Sequence, residues 1–163
     1  MGRVSNKVAI VTGGGQGIGR ATCHLLAREG AQVAVVDCLE KEGQEVADSI
    51  KGVGGKAGFW KADVSSEADV ESAFSEIYKT FKRLDILVNN AGITGVRKPT
   101  HEIDEAEWDR VMDINVKGVF LCTKHAVPYL KSSGGGSIIN VASVLGMVSA
   151  PSAPPYVASK AAV

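Results

Sequence analysis

The sequence predicts an α/β protein in which helices cover both faces of a doubly wound parallel sheet. Short apolar runs of strand length alternate with longer segments whose apolar residues recur at helical spacing. A glycine-rich turn follows the first apolar run directly, and an acidic residue ends the second run. Strands that alternate with helices form a parallel sheet because right-handed crossovers return each strand in the same direction. We therefore expect a three-layer αβα arrangement within a single domain that spans residues 1–163.

The first strand leads into a candidate phosphate-binding turn. Residues 8–11 form an unbroken apolar run, as expected for a strand that is buried on both faces. Thr12 and the glycine cluster at 13–19 follow, and apolar residues from Ile18 onward recur at helical spacing. Glycines allow a tight turn and a close approach to a pyrophosphate, while the N-terminus of the next helix attracts the anion. We predict a dinucleotide site here; the alternative is a merely flexible loop.

The second strand, residues 32–36, ends at Asp37, which lies 18 residues after Gly19. A carboxylate at this place accepts hydrogen bonds from the two hydroxyls of an adenine ribose and repels a 2′-phosphate. Gln16 and Cys38 stand where a basic residue could pair with that phosphate, and neither is basic. The predicted cofactor is therefore NAD rather than NADP, unless Asp37 is only a turn residue.

Six further elements complete the predicted fold. They are a helix at 40–53, a strand at 56–61, a helix at 66–81, a strand at 85–89, a helix at 107–131 and a strand at 137–141. Ser66 and Asp69 form a capping pair at the start of their helix. The helix at 107–131 is apolar around much of its circumference, so we expect it to pack on the sheet and on another subunit. The fifth strand would be an exposed edge.

Composition narrows the classes of partner. The 18 basic and 18 acidic residues cancel and form no basic cluster, which argues against a nucleic-acid or anionic-membrane partner. No apolar run reaches the roughly 20 residues of a membrane span, and no secretory signal precedes the first strand, so we expect a cytoplasmic protein. The three cysteines fit no metal-binding or redox spacing, so we expect reduced thiols and no metal site, with Cys38 partly exposed.

Tyr156 and Lys160 lie four positions apart, so they share one face if this segment is helical. A free tyrosine titrates near pH ~10, and a neighbouring ammonium lowers that pKa toward the range needed to exchange a proton with an alcohol. Ser143, just after the fifth strand, can donate a hydrogen bond to a substrate oxygen. A tyrosine and a lysine at this spacing also occur on surface helices without function, so the pair gains weight only together with the glycine turn.

These motifs together resemble the short-chain dehydrogenases/reductases, a family with the Rossmann fold. The matching residues are Thr12, Gly13, Gly17, Gly19, Asp63, Val64, Asn89, Asn90, Ala91, Gly92, Asn115, Ser143, Tyr156 and Lys160. The resemblance implies that Tyr156 is the general acid/base and that Lys160 lowers its pKa and binds the nicotinamide ribose. It also implies that Ser143 positions the substrate oxygen and that Asn115 holds a water beside Lys160.

The resemblance also implies a set of cofactor-binding residues. They are Gly13, Gln16, Gly17, Ile18, Gly19, Asp37, Asp63, Val64, Asn90, Ala91, Gly92, Tyr156 and Lys160. Asp63 and Val64 would hold the adenine, and Asn90 with its neighbours would hold the adjoining ribose and the turn. Asn89 is expected to be structural and to tie its strand to Thr12. The side chains expected around the substrate are mostly apolar: Ile93, Thr94, Val144, Leu145 and Met147.

Two features depart from the pattern of the family. Residues 149–155 are rich in proline, from which we expect a rigid wall beside the substrate. The sequence also stops three residues after Lys160, whereas family members continue with more of that helix, two strands and a substrate-covering loop. We expect that the C-terminal part of the domain is missing from this chain, and that the complete protein is a homodimer or homotetramer.

The leading hypothesis is an oxidoreductase that transfers a hydride between NAD(H) and a secondary alcohol or ketone. A second hypothesis is a non-catalytic fragment that binds dinucleotides or another subunit, which predicts binding without turnover. A third is a methyltransferase, which also uses a glycine loop and an acid after the second strand. That hypothesis leaves Ser143, Tyr156 and Lys160 without a role.

Overall fold

A parallel sheet forms the centre of the protein. The structure is a computed structural model that describes residues 2–149 and 152–163. The strands in these residues are β1 (Val8–Thr12), β2 (Gln32–Asp37), β3 (Lys56–Lys61), β4 (Ile86–Asn89) and β5 (Ser137–Asn140). All pairs are parallel, in the order β3-β2-β1-β4-β5. This order reverses direction beside β1, which confirms the predicted doubly wound sheet.

Helices lie on both faces of the sheet. They are α1 (Gly17–Arg28), α2 (Glu40–Gly52), α3 (Glu67–Phe81), α4 (Glu105–Met112), α5 (Gly118–Ser132) and α6 (Pro154–Ala162). A π-helical turn, Asp113–Lys117, joins α4 to α5 without a break. The helix predicted at 107–131 is therefore real but begins two residues earlier and contains a π turn. Single 3-10 turns lie at Thr100–Glu102 and Val144–Gly146.

Alternate side chains of the strands build one apolar cluster on each face. On one face, Val8 and Ile10 pack in a cluster with residues of α3 and α5, among them Phe74. On the other face, Val11 packs in a cluster with Val46 of α2 and with residues of α1. All of β1 is buried, as the unbroken apolar run predicts. The two clusters hold the sheet between two helical layers.

The α4–α5 segment buries only one of its sides. Leu121 and Ala126 belong to the apolar cluster on the sheet, which confirms the predicted packing there. Trp108 and Phe120 are 38% and 60% exposed, respectively. Contact of this outer side with another subunit stays a prediction.

The start of α3 has the cap that the sequence predicts, whereas α6 starts within the proline-rich segment. The Ser66 hydroxyl accepts a hydrogen bond from the Asp69 N–H, 3.3 Å away. Pro154 and Pro155 lie in the first turn of α6, where a proline costs no hydrogen bond, and Pro155 is buried. The last two residues of the proline-rich segment are therefore helical, and the rigid wall expected at 149–155 stays a prediction. Residues 150 and 151 lie outside the described part of the chain.

The carboxyl ends of the strands meet at one edge of the sheet, as the topology requires. β5, one of the two edge strands, exposes all of its residues, as expected for an edge. No helix in the described residues has the length and apolarity needed to cross a membrane.

Candidate active site

A cleft of about 680 Å³ opens at the carboxyl edge of the sheet. Its lining includes most of the residues predicted to bind a cofactor: Gly13, Gln16, Gly17, Ile18, Asp37, Asp63, Val64, Asn90, Ala91, Gly92, Tyr156 and Lys160. Three predicted residues, Gly19, Asn115 and Ser143, do not line it. Gly19 and Asn115 instead pack directly behind the residues that do.

The glycine turn has the backbone that its sequence predicts. Gly13 and Gly17 have φ values of 62° and 51°, a region that favours glycine. A side chain at Gly19 would lie only 2.0 Å from the carbonyl oxygen of Gly13, so this glycine allows α1 to close onto the turn. A side chain at Gly17 would meet nothing within 4 Å. The turn thus leaves open space at the N-terminus of α1, where an anion is favoured.

Asp37 is held in place by the turn that it faces. Its carboxylate accepts hydrogen bonds from the N–H of Gly15 at 2.8 Å and from the N–H of Leu39 at 3.0 Å. The residue is only 8% exposed, yet it lines the cleft. Each carboxylate oxygen has a second lone pair, so the group can still accept hydrogen bonds from ribose hydroxyls.

The asparagine that ties β4 to β1 is Asn90, which corrects the expectation for Asn89. The Asn90 amide donates to the carbonyl oxygens of Thr12 at 2.9 Å and Gly13 at 3.1 Å. Asn89 points to the other face, where its amide donates to Thr123 and Asn140. Side chains of consecutive residues in extended chain point to opposite faces of the sheet, which explains why Asn90, and not Asn89, contacts Thr12. Asn90 therefore both lines the cleft and supports the glycine turn.

Asp63 shapes the loop after β3. Its carboxylate accepts hydrogen bonds from the N–H of Ser65 at 2.9 Å and from the Ser65 hydroxyl at 2.7 Å. Val64 packs against Gly118, where an added side chain would come within 2.8 Å of its methyl group. The loop is thereby fixed beside α5, with both residues in the cleft wall.

Tyr156 and Lys160 share one face of α6, as their spacing predicts. The Lys160 ammonium nitrogen lies 5.9 Å from the centre of the Tyr156 ring. It donates a hydrogen bond of 2.6 Å to the carbonyl oxygen of Val141, just after β5. Lys160 is 8% exposed, and burial lowers its pKa. The arrangement places a positive charge beside a phenol at the cleft.

Asn115 lies in the π turn and is fully buried. Its amide oxygen accepts from the Ile93 N–H at 2.8 Å, and its amide nitrogen donates to the Ile93 carbonyl at 2.9 Å. A side chain added at Gly92 would lie 3.2 Å from that amide oxygen and 3.5 Å from the Lys160 ammonium. Asn115 and Lys160 therefore flank the same glycine, which is compatible with the predicted relay.

Ser143 precedes the 3-10 turn at Val144–Gly146 and caps it. Its hydroxyl oxygen accepts a hydrogen bond of 3.2 Å from the Leu145 N–H, which leaves the hydroxyl proton for another acceptor. Ile93 and Thr94 line the cleft as expected, whereas Val144, Leu145 and Met147 do not. Contact of these three residues with a substrate therefore stays a prediction; Met147 is 84% exposed.

Several functional candidates were missed by the sequence reasoning. Arg110 and Ile114 line the cleft from α4 and the π turn, and their four-residue spacing is the signal that could have indicated a shared face. Ser159 is fully buried and bonded to Asn115, and no periodic pattern indicates that contact. Leu39 and Ala142 add apolar walls.

The residues of the cleft fit a dinucleotide. The turn supplies open space and a helix N-terminus for the phosphates, Asp37 offers a carboxylate to a ribose, and Val64 and Ala91 provide apolar surface. Lys160 stands at the far end of the same cleft, beside Tyr156.

Comparisons with known proteins agree with this geometry. A cyclopentanol dehydrogenase from Comamonas sp. is 45% identical over all 163 residues, which cover 65% of that protein. A 3beta-hydroxysteroid dehydrogenase from Mediterraneibacter gnavus is 44% identical, and the chain covers 59% of it. The structure of an NAD+-bound xylitol dehydrogenase matches 98% of the chain and 62% of its own length, with a TM-score of 0.95 and 32% identity.

The chain thus spans less than two thirds of the length of these relatives. A sequence model of the family described as short chain dehydrogenase matches residues 7–163. The chain belongs to the short-chain dehydrogenase family.

Proposed function

We propose that the full-length protein is an oxidoreductase that transfers a hydride between NAD(H) and a secondary alcohol or ketone. The observation that carries this proposal is the buried Lys160 ammonium beside the Tyr156 ring, in the cleft that also contains Asp37 and the glycine turn. Relatives named as dehydrogenases of cyclopentanol and of a hydroxysteroid support a reaction at a CH–OH group.

Tyr156 acts as the general acid/base in this proposal. When an alcohol is oxidised, the phenolic oxygen takes the hydroxyl proton; when a ketone is reduced, it returns one. Lys160 places its positive charge beside the phenol, and its bond to the Val141 carbonyl keeps the ammonium in place. Ser143 donates its free hydroxyl proton to the substrate oxygen.

When bound, the cofactor would accept or supply the hydride. This chain would hold the cofactor and move the proton. Gly13, Gln16, Gly17 and Ile18 would hold the pyrophosphate, and Asp63 and Val64 the adenine. Asn90, Ala91 and Gly92 would support the ribose next to it, and Asn115 the water beside Lys160.

The proposed preference for NAD rests on Asp37. Its oxygens face the cleft while two backbone N–H groups hold them there, so a 2′-phosphate would meet a fixed negative charge. The NAD+-bound state of a similar xylitol dehydrogenase supports the same preference.

Fluorescence titration with NADH and NADPH tests this preference directly. We expect NADH to bind at least tenfold more tightly, since a hydrogen bond to a charged group contributes about 1.5–3 kcal/mol. Asp37→Ala should weaken NADH binding and narrow the gap to NADPH. Tighter binding of NADPH by the parent protein would contradict the proposal.

A second experiment separates catalysis from binding. In the full-length protein, Tyr156→Phe removes only the phenolic oxygen, so oxidation of a cyclic secondary alcohol should fall by about 10²–10⁴-fold while the Kd for NADH stays within twofold. Binding without turnover in the parent protein would favour a non-catalytic module. Preferential binding of a methyl donor over NADH would favour the methyltransferase alternative.

We also propose that the complete, cytoplasmic protein is a homodimer or homotetramer that uses the outer side of α4 and α5. The exposure of Trp108 and Phe120 on adjoining helical segments supports this proposal. Light scattering of the full-length protein, compared with a Phe120→Glu variant, tests it: the variant should dissociate.

A further inference from the structure

Ser159 occupies a buried position between two elements of the site. Its side chain is 0% exposed, and its hydroxyl has two protein partners. It donates to the carbonyl oxygen of Tyr156 at 2.8 Å and accepts from the amide nitrogen of Asn115 at 2.9 Å. The first bond lies within α6, and the second joins α6 to the π turn.

The direction of both bonds is fixed by chemistry. A hydroxyl has one proton to donate, and a carbonyl oxygen can only accept, so the Ser159 proton must point to Tyr156. The lone pair that remains then faces the Asn115 amide. Ile93 independently fixes the orientation of that amide. The Ile93 N–H donates to the amide oxygen, and the Ile93 carbonyl accepts from the amide nitrogen. Ser159 is thus the link between the Asn115 amide and the first turn of α6.

Two hydrogen bonds join α6 to neighbouring elements of the site. Lys160 attaches it to the end of β5, and Ser159 attaches it to the π turn. Without the second link, α6 could rotate about the first and change the distance from Tyr156 to the groups around Gly92.

We propose that Ser159 is a positioning residue for the proton transfer, which acts by holding the Asn115 amide and the Tyr156 backbone in one rigid unit. This inference rests on the proposed dehydrogenase function. It predicts that the loss of the hydroxyl reduces the rate of the chemical step more than it reduces the binding of substrate or cofactor.

The experiment compares two serines with equivalent hydrogen bonds. Ser133 also donates to a backbone carbonyl, that of Tyr129 at 2.8 Å, and accepts from an N–H, that of Leu84 at 2.9 Å. It precedes β5 and therefore lies at the opposite edge of the sheet from the cleft. Ser133→Ala in the full-length protein is the matched control for Ser159→Ala.

For Ser159→Ala we expect kcat for alcohol oxidation to fall at least tenfold, while KM and the Kd for NADH change less than threefold. Ser133→Ala should lower Tm comparably and leave kcat within twofold of the parent. Ser159→Thr, which keeps a hydroxyl, should recover most of kcat.

A double variant tests whether Ser159 acts through Asn115. Asn115→Ala combined with Ser159→Ala should be about as slow as Asn115→Ala alone. A kcat within twofold of the parent in Ser159→Ala, equal losses in kcat and in binding, or additive losses in the double variant would overturn the inference.

Tyr156→Phe, measured alongside, separates this inference from the proposed function. If Tyr156→Phe abolishes turnover and Ser159→Ala does not slow it, only the role of Ser159 is wrong. If turnover survives Tyr156→Phe, or if the parent turns over no alcohol, the proposed function fails and the role of Ser159 fails with it.

Discussion

Gly146→Ala is the substitution that most directly tests how the position of α6 affects the proposed activity. Gly146 ends the 3-10 turn after Ser143 and packs against the backbone of Lys160 in α6. An added side-chain carbon would lie 2.4 Å from the Lys160 carbonyl oxygen and 2.7 Å from its carbon, whereas ordinary contacts begin at 3.4 Å. Both atoms belong to the backbone and cannot rotate away, so the turn and α6 must separate by about 1 Å.

Such a displacement should affect activity more than folding. Overpacking of this kind costs about 1–3 kcal/mol of unfolding free energy, which a complete domain tolerates. A shift of about 1 Å in catalytic groups reduces rates by roughly 10²-fold. It would also lengthen the 2.6 Å bond between Lys160 and the Val141 carbonyl. We therefore expect Gly146→Ala in the full-length protein to fold and to lose about 10²-fold in kcat.

The assay is steady-state oxidation of a cyclic alcohol, followed by NADH absorbance, together with Tm measured by thermal denaturation. Gly52→Ala is the control, because a side chain at that helical glycine would meet nothing within 4 Å and should raise stability by up to about 1 kcal/mol. The reasoning is refuted if Gly146→Ala retains kcat within threefold of the parent, since α6 would then tolerate the displacement.

Two further predictions concern charge and thiol chemistry. Burial raises the pKa of Asp85, but hydrogen bonds from Arg83, the Val8 N–H and Lys7 outweigh this effect and bring it to about 2. Because the pKa of Asp85 in the folded protein lies below its ordinary value, the ionised carboxylate stabilises the fold. This stabilisation is present above pH ~4 and should be lost as the pH falls toward 2. Because both basic partners are nearly half exposed, solvent weakens these interactions. We expect the free energy of unfolding in urea to fall by about 1–2 kcal/mol over this pH range, and we expect no such fall in Asp85→Asn. Cys38 is exposed whereas Cys23 and Cys122 are buried, so the Cys38 thiol should react first with an alkylating agent. Because Cys38 lines the cleft, bound NADH should slow this reaction. The prediction is contradicted if NADH does not slow alkylation of the parent protein, or if NADH slows alkylation of a Cys38→Ser variant equally.

Local sequence patterns predict the elements of this fold well. The apolar run at β1, the glycines after it and the acid that ends β2 each carry their signal within a few residues, and the structure confirms the strand and turn geometry. The helix predicted at 40–53 likewise matches α2, whose apolar residues Val46 and Ile50 are four positions apart and buried. These features are determined by periodicity and by backbone freedom, which a single sequence shows directly.

The contacts that assemble the site are less predictable. Asn89 and Asn90 have the same side chain, and only the register of β4 decides that Asn90 faces Thr12. The acceptor of Lys160 is a backbone carbonyl, which every residue possesses, so no residue type in the sequence indicates Val141. The hydrogen bonds that join Asn115 in the π turn to Ile93 likewise span 22 positions of the sequence, so no local pattern indicates them.

The Tyr-x-x-x-Lys motif therefore contains only part of the information that a proton-transfer site needs. Helix α6 supplies the spacing of Tyr156 and Lys160, but its position depends on contacts outside the motif. These are the Lys160 bond to Val141, the Ser159 bond to Asn115 and the close approach at Gly146. A chain with the same motif and glycine turn, but with alanine at positions 146 and 159, should still bind NADH. It should transfer protons slowly, because most of the residues proposed to hold the dinucleotide follow strands β1 to β4, whereas the chemistry relies on the position of α6.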